Sequence, residues 1–202
     1  MSIVISPSPP VSAQESTPKR IRFTRRMCTA LVENGLLTGR YELIDGEVID
    51  KMGQNPPHAF VIRRLNGWLV KWFGADYVNI QLPIDVSEAE NETNEPEPDA
   101  AVLAQSGEAY LNGNPGPSEL LLVIEVSDSS LYFDLHKKAA LYARATIQEY
   151  WVVDIAGRRM VVHRQPTSQG YAEILAYGED ELLSPLARPE ATIRVADLLP
   201  TS

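Results

Sequence analysis

The chain has 202 residues, 44% of them hydrophobic and 22% charged, which is enough for one domain with a sizeable core and ordinary for a soluble globular protein. Its net charge of −9 argues against generic, charge-driven nucleic-acid binding. No apolar run approaches the roughly 20 residues of a membrane helix, and the single cysteine, Cys28, excludes an internal disulfide framework and fits a reducing, cytoplasmic setting.

Residues 1–18 are rich in proline and serine and lack a basic n-region, so they read as a disordered lead-in rather than a signal peptide, with one domain expected over residues 19–200. Lys19, Arg20, Arg22, Arg25 and Arg26 then cluster with no acid among them, whereas Trp72 to His136 contains no lysine or arginine at all. Most of that acidic middle reads as solvated surface; a part of it can wall a cation site. Thr24 predicts an N-cap, and the helix it opens runs to about Asn34-Gly35 with Met27, Ala30 and Leu31 inward. Tyr41–Ile44, Asp45-Gly46 and Glu47–Ile49 predict a hairpin closed by a type I′ turn. Glu47, just after the turn, reads first as a solvent-facing strand charge.

Pro56-Pro57 introduces a helix over about His58–Phe73, with Ile62, Leu65 and Leu69 facing the core and Arg63, Arg64 and Lys71 on its other side as candidates for phosphate contact. His58, at the helix start, reads as a local hydrogen-bonding or packing residue. Tyr77–Ile80 and Leu82–Val86 are short strand candidates, and residues 87–98 form a polar, acidic loop unable to pack a core. Asp99 then opens an apolar strand, and a second loop leads to Leu120–Ile124, an unbroken apolar run that predicts a strand buried on both faces and ends at Glu125. If these two strands pair antiparallel, Asp99 and Glu125 meet at one sheet end. Two semi-buried carboxylates repel unless one is protonated or a cation lies between them, and with oxygen ligands only that cation is magnesium or manganese.

A helix over about Asp134–Ala145 follows. At 100° per residue Lys138 shares an arc with Leu135, Leu141, Tyr142 and Ala145, while Lys137 lies toward Arg144 on the other side. A core-side lysine needs a partner, which the carboxylate pair supplies. Tyr150–Val153, Met160–His163 and Tyr171–Leu175 predict further strands, with Ile193–Leu199 closing the domain. His163 alternates with valines and reads as structural on an edge strand. The sequence holds no glycine-rich phosphate loop, CxxC, HExxH or nucleophile elbow.

Tyr41-ELIDGEV-Ile49, EPDAAV (97–102), IEVSDSSL (124–131), Asp134…Lys138 with AALYARA (139–145), and EYWVVD (149–154) together resemble the Uma-two family of restriction-endonuclease-like proteins, a branch of the PD-(D/E)XK nuclease superfamily. The resemblance covers about Phe23–Leu199 and implies an α/β (α+β) restriction-endonuclease-like core, a mixed β-sheet flanked by helices. It implies a metal-dependent endonuclease acting on DNA, with Asp99, Glu125 and the Val126 backbone carbonyl holding Mg2+ or Mn2+, and with Asp99, Glu125 and Lys138 catalytic. The superfamily lysine position, two residues after the second acid, is Ser127 here, so the lysine passes to Lys138 on the following helix. The superfamily glutamate of the first core helix is missing from 58–73, which leaves Glu47, and further off His58, to complete the site. A catalytically silent nuclease-fold module, dimerising or DNA-associated, is the alternative, and an exposed hairpin edge would suit a homodimer.

Overall fold

The computed structural model describes residues 20–51 and 55–201, so the lead-in expected over 1–18, and Lys19 with it, lies outside the described residues. Thr24 caps the first helix as its sequence predicts: its Oγ1 accepts from the Met27 N–H at the start of α1 (Arg25–Glu33). The inward face is a correction. Cys28 is the buried residue of α1, while Met27 and Ala30 are exposed, because the stripe that meets the chain runs through Arg25, Cys28 and Leu31 at helical spacing. The hairpin forms between β1 (Tyr41–Ile44) and β2 (Glu47–Asp50), with Ile44 opposite Glu47. Asp45 and Gly46 both have positive φ, 48° and 75°, which is the type I′ turn. At Gly46 a Cβ would lie 2.5 Å from Arg22 Cβ, so the position is closed to side chains twice over.

Asn55 caps α2 (Pro56–Phe73), whose Val61, Ile62, Leu65 and Leu69 are buried. After β3 (Val78–Ile80) the expected strand over 82–86 is absent. Pro83 cannot donate to a ladder, and Ile84 and Asp85 bond instead to the carbonyls of Pro96 and Pro115. The acidic loop 87–98 is also a correction. Leu43 and Glu95 exchange backbone hydrogen bonds, Asn94 is buried, and Arg25 and Arg144 reach in to Asp85, Asn91 and Glu90. Paired cations and a backbone bridge let a polar segment pack where its composition alone would not.

The main sheet has six strands in the order β3, β4 (Ala100–Leu103), β5 (Leu120–Ser127), β6 (Glu149–Asp154), β7 (Arg159–Thr167), β8 (Gly170–Gly178). Only β5 and β6 pair parallel, joined by the helix α3 over residues 131–144; every other neighbouring pair is antiparallel. β5 is buried on both faces. Leu122, Ile124 and Val126 pack with Trp151 and Val162 under α2, while Val123 packs with Tyr150, Val152 and Val161 under α3. The last strands, β9 (Leu182–Leu183) and β10 (Ile193–Arg194), pair separately, and Val195, Leu198 and Leu199 close the α2 side. His163 does not sit at an edge: β7 lies between β6 and β8, and His163 is 1% exposed between Tyr150 and Tyr171.

Candidate active site

The antiparallel register of β4 and β5 pairs Ala100 with Ile124, so Asp99, immediately before β4, stands opposite Glu125. β5 continues past Glu125 to Ser127, and the Val126 N–H donates to Asp99 Oδ2 at 2.9 Å, tying the two strands together at the acids. Asp99 accepts two further bonds, from Gln81 Nε2 to Oδ1 at 3.1 Å and at Oδ2 from His58 Nε2, 3.2 Å away. Burial alone would push this carboxyl up; the His58, Val126 and Gln81 contacts outweigh it and hold Asp99 at about 2. His58 reaches the site because Asn55 starts α2 at this end of the sheet.

Lys138 is where the helical phase puts it: 4% exposed, with Lys137 exposed beside it. Its Nζ lies 2.8 Å from Glu125 Oε1 and 2.9 Å from both Glu42 oxygens. Tyr142 Oη donates to the same Glu125 Oε1 at 3.0 Å, and Glu125 Oε2 takes no hydrogen bond from any described residue. Burial pulls the ammonium down, but Glu125, Glu42 and Asp134 overturn that and push it up, so Lys138 is a cation. Burial pushes the Glu125 carboxyl up, to about 8; Lys138 opposes this, and Asp99, Asp134 and Glu42 reinforce it. Four carboxylates, Glu42, Asp99, Glu125 and Asp134, each no more than 5% exposed, thus crowd one buried ammonium, which bonds Glu42 and Glu125 while Asp99 pairs with His58 and Asp134 accepts from two serines. That excess of negative charge favours an added proton or cation.

The start of α3 is irregular. Asp134–Lys138 is a π-helical segment in which the Ala139 N–H reaches back to the Asp134 carbonyl. The wide turn lets both Asp134 and Lys138 bury inward. Ser127 Oγ and Ser130 Oγ each donate to Asp134 Oδ2 at 2.6 Å, and Tyr150 Oη to the Asp134 carbonyl. Ser127, in the superfamily's lysine position, is therefore a buried partner of Asp134. A cavity of about 380 Å³ opens over these groups, lined among others by Glu42, Lys51, His58, Asp99, Glu125 and Lys138.

Of the acids expected here, Glu47 is not brought in. It is exposed, its ion-pair partner is Arg20 at 4.0 Å, and it does not line the cavity. Glu42, on β1, takes the place instead. Its carboxylate also accepts from the Glu97 N–H at 2.8 Å and lies 3.5 Å from Lys51 Nζ. A glutamate alternating with apolar residues just before a turn was its one visible signal. Within the basic cluster before the hairpin, Arg25 is structural: it pairs with Asp85 at 2.8 Å.

Among the described residues no group of three or more histidine, cysteine, aspartate or glutamate side chains is arranged to hold a metal ion. The donors present are nonetheless those of a hard cation: an ionised Asp99, a Glu125 oxygen without a partner among the described residues, and a main-chain carbonyl at Val126. Magnesium is commonly held by one or two carboxylates, with water and substrate completing its shell.

A mixed sheet crossed once by a parallel β5–α3–β6 unit, with acids and a lysine at one end, is a nuclease fold of the restriction-endonuclease-like class. The crystal structure of a putative nuclease belonging to DUF820 from Anabaena variabilis shares it, with a TM-score of 0.62 at 16% identity over 83% of this chain and 96% of that chain. The model of the Uma2 family, described as "Putative restriction endonuclease", matches residues 36–196. The chain belongs to the Uma2 family. No curated protein matches it.

Proposed function

We propose that this nuclease-like protein is a metal-dependent endonuclease that hydrolyses phosphodiester bonds in DNA, built as one domain over residues 19–200. The observation that carries the reading is a buried ammonium with an available carboxylate oxygen beside it: Lys138 holds Glu125 Oε1 at 2.8 Å, while Oε2 accepts nothing from the described residues. Asp99, Glu125 and the Val126 carbonyl would hold Mg2+ or Mn2+. When bound, such an ion supplies charge to polarise the scissile phosphate and acidify a water.

The remaining roles belong to the chain. Lys138, kept charged by its acidic partners, stabilises negative charge on the phosphate and orients the attacking water; a lysine already protonated is a poor base. Glu42 positions Lys138, and His58, through Nε2, positions Asp99. Glu47 has no role in this scheme. No described helix is long and apolar enough to cross a membrane, and a free, buried Cys28 suits a cytoplasmic protein. A homodimer would use the open edge of β8, where Ile174 is 58% exposed.

The test is cleavage of plasmid and single-stranded DNA with magnesium, manganese or chelator, alongside Asp99→Ala, Lys138→Ala and Lys137→Ala. Cleavage is expected to require metal, Asp99 and Lys138 and to survive loss of Lys137. The second reading, a catalytically silent module, draws on the closed Glu42–Lys138–Glu125 arrangement, which satisfies the lysine without a substrate. Absence of cleavage in every condition, with no rise in melting temperature on adding metal, would favour it.

A further inference from the structure

Away from the acidic cavity, α2 presents a face of opposite sign. Residues 56–73 contain no aspartate or glutamate, and Arg63, Arg64 and Lys71 are exposed. Most lysines and arginines of the described chain are paired with a carboxylate, but these three have no such partner among the described residues. Two are instead stacked on aromatic rings, Arg64 over Phe60 and Lys71 over Trp72, at 5.4 and 5.5 Å from the ring centres. Arg63, Gly67 and Lys71 follow one another at i, i+4, i+8 along the wall of an open groove of about 660 Å³. Asp197, on the opposite wall, is neutralised by Arg194 at 2.7 Å.

Gly67 is the second observation. It sits in the middle of a helix, where glycine is less stable than alanine, with no positive φ and nothing within 4 Å of the place a Cβ would occupy. Neither backbone conformation nor packing calls for it. It leaves a flat floor between two cations, where another main chain or a sugar-phosphate backbone can approach closely. Trp68, beside it on the same groove, has a buried indole N–H with no acceptor among the described residues.

We propose that this groove is a phosphate track for the substrate DNA, running from the catalytic end of α2 outward. His58, on the first turn of α2, contacts Asp99, and Lys71 lies about 20 Å further along the axis, the length of about six base pairs. The cations along this face neutralise phosphates, and the excess of acids over bases in the rest of a chain whose net charge is −9 confines the duplex to it. The inference rests on the nuclease reading for the identity of its ligand, but binding can be measured without cleavage.

The experiment is fluorescence anisotropy of a labelled 20-bp duplex with the full chain in chelator, across a salt series. Arg63→Gln/Lys71→Gln is expected to bind about tenfold more weakly at low salt and to lower the slope of log K against log salt by about two, each phosphate contact contributing about 0.9. Gly67→Leu is expected to melt no lower than the wild type and yet bind more weakly. Arg26→Gln/Lys137→Gln, which removes two exposed cations elsewhere, should leave both affinity and slope unchanged. Binding that is unaffected by the α2 variants, or weakened equally by the control pair, overturns the track while leaving the nuclease reading standing. Wild type that binds no duplex in chelator or in calcium sinks the nucleic-acid reading itself.

Discussion

Replacing Lys138 with methionine removes the only positive charge bonded to Glu125 among the described residues and keeps most of the side-chain volume. Lys138 is 4% exposed and lies 2.8 to 2.9 Å from two carboxylates that are themselves 3% exposed. Breaking such a buried pair from one side costs about 3–5 kcal/mol, because the partners stay buried without a counter-charge. The loss should depend on pH. Glu125 already has its folded pKa raised, to about 8 from 4.5, although Lys138 opposes that rise, so the variant moves it higher. An acid whose folded pKa is raised binds its proton more tightly in the native state. The stability it lends is present below about 4.5 and is lost as pH climbs toward the folded value. Variant and wild type both keep this proton below about 8, and above it only the wild type releases it, so urea unfolding followed by tryptophan fluorescence should find a deficit near pH 7 that widens near pH 9. Lys137→Met, at an exposed position, should stay within about 0.5 kcal/mol of wild type at both. A Lys138→Met deficit below about 1 kcal/mol, equal at the two pH values, would refute the buried-cluster account.

His163 is held down to about 4 by burial, from 6.5, so its stability contribution is full above 6.5 and is lost as pH falls toward 4. That loss is about 3 kcal/mol in all, and His163→Phe, packed between Tyr150 and Tyr171, should flatten this part of the pH–stability curve measured by denaturant unfolding. Glu42→Gln should reduce plasmid cleavage at least tenfold, whereas Glu47→Gln should leave the rate within twofold; the reverse order would restore Glu47 to the site. Gly46→Ala should lower stability by about 1–3 kcal/mol in thermal or urea unfolding, since the new methyl meets Arg22 and φ is 75°.

Periodicity and punctuation carried much of the fold. The Asp45-Gly46 turn, the cap at Thr24 and the doubly buried β5 are local or near-local consequences of residue type, and a chain reader can see them. The pairing of Asp99 with Glu125 was also legible, because antiparallel pairing of two short strands leaves one register that brings both acids to the same end. Lys138 over Lys137 followed from helical phase alone. It survived an unannounced π-helical segment because Leu141, Tyr142 and Ala145 keep α spacing from Lys138 onward.

What tertiary structure decided lies where long-range contacts choose between chemically equal residues. Glu42 and Glu47 are both strand glutamates flanking one turn; only the docking of the hairpin against the 94–97 segment, through Leu43 and Glu95, turns Glu42 to Lys138 and leaves Glu47 in solvent. The acidic loop packs because Arg25 and Arg144, 60 and 54 residues from their partners, arrive to neutralise it. His58 becomes a partner of Asp99 only when α2 crosses the end of the sheet. The acids at the start of β4 and within β5, and the lysine on the helix that follows, were written in the chain; the ring of residues that holds them in register had to wait for the fold, because burial of charge is settled by partners distant in sequence.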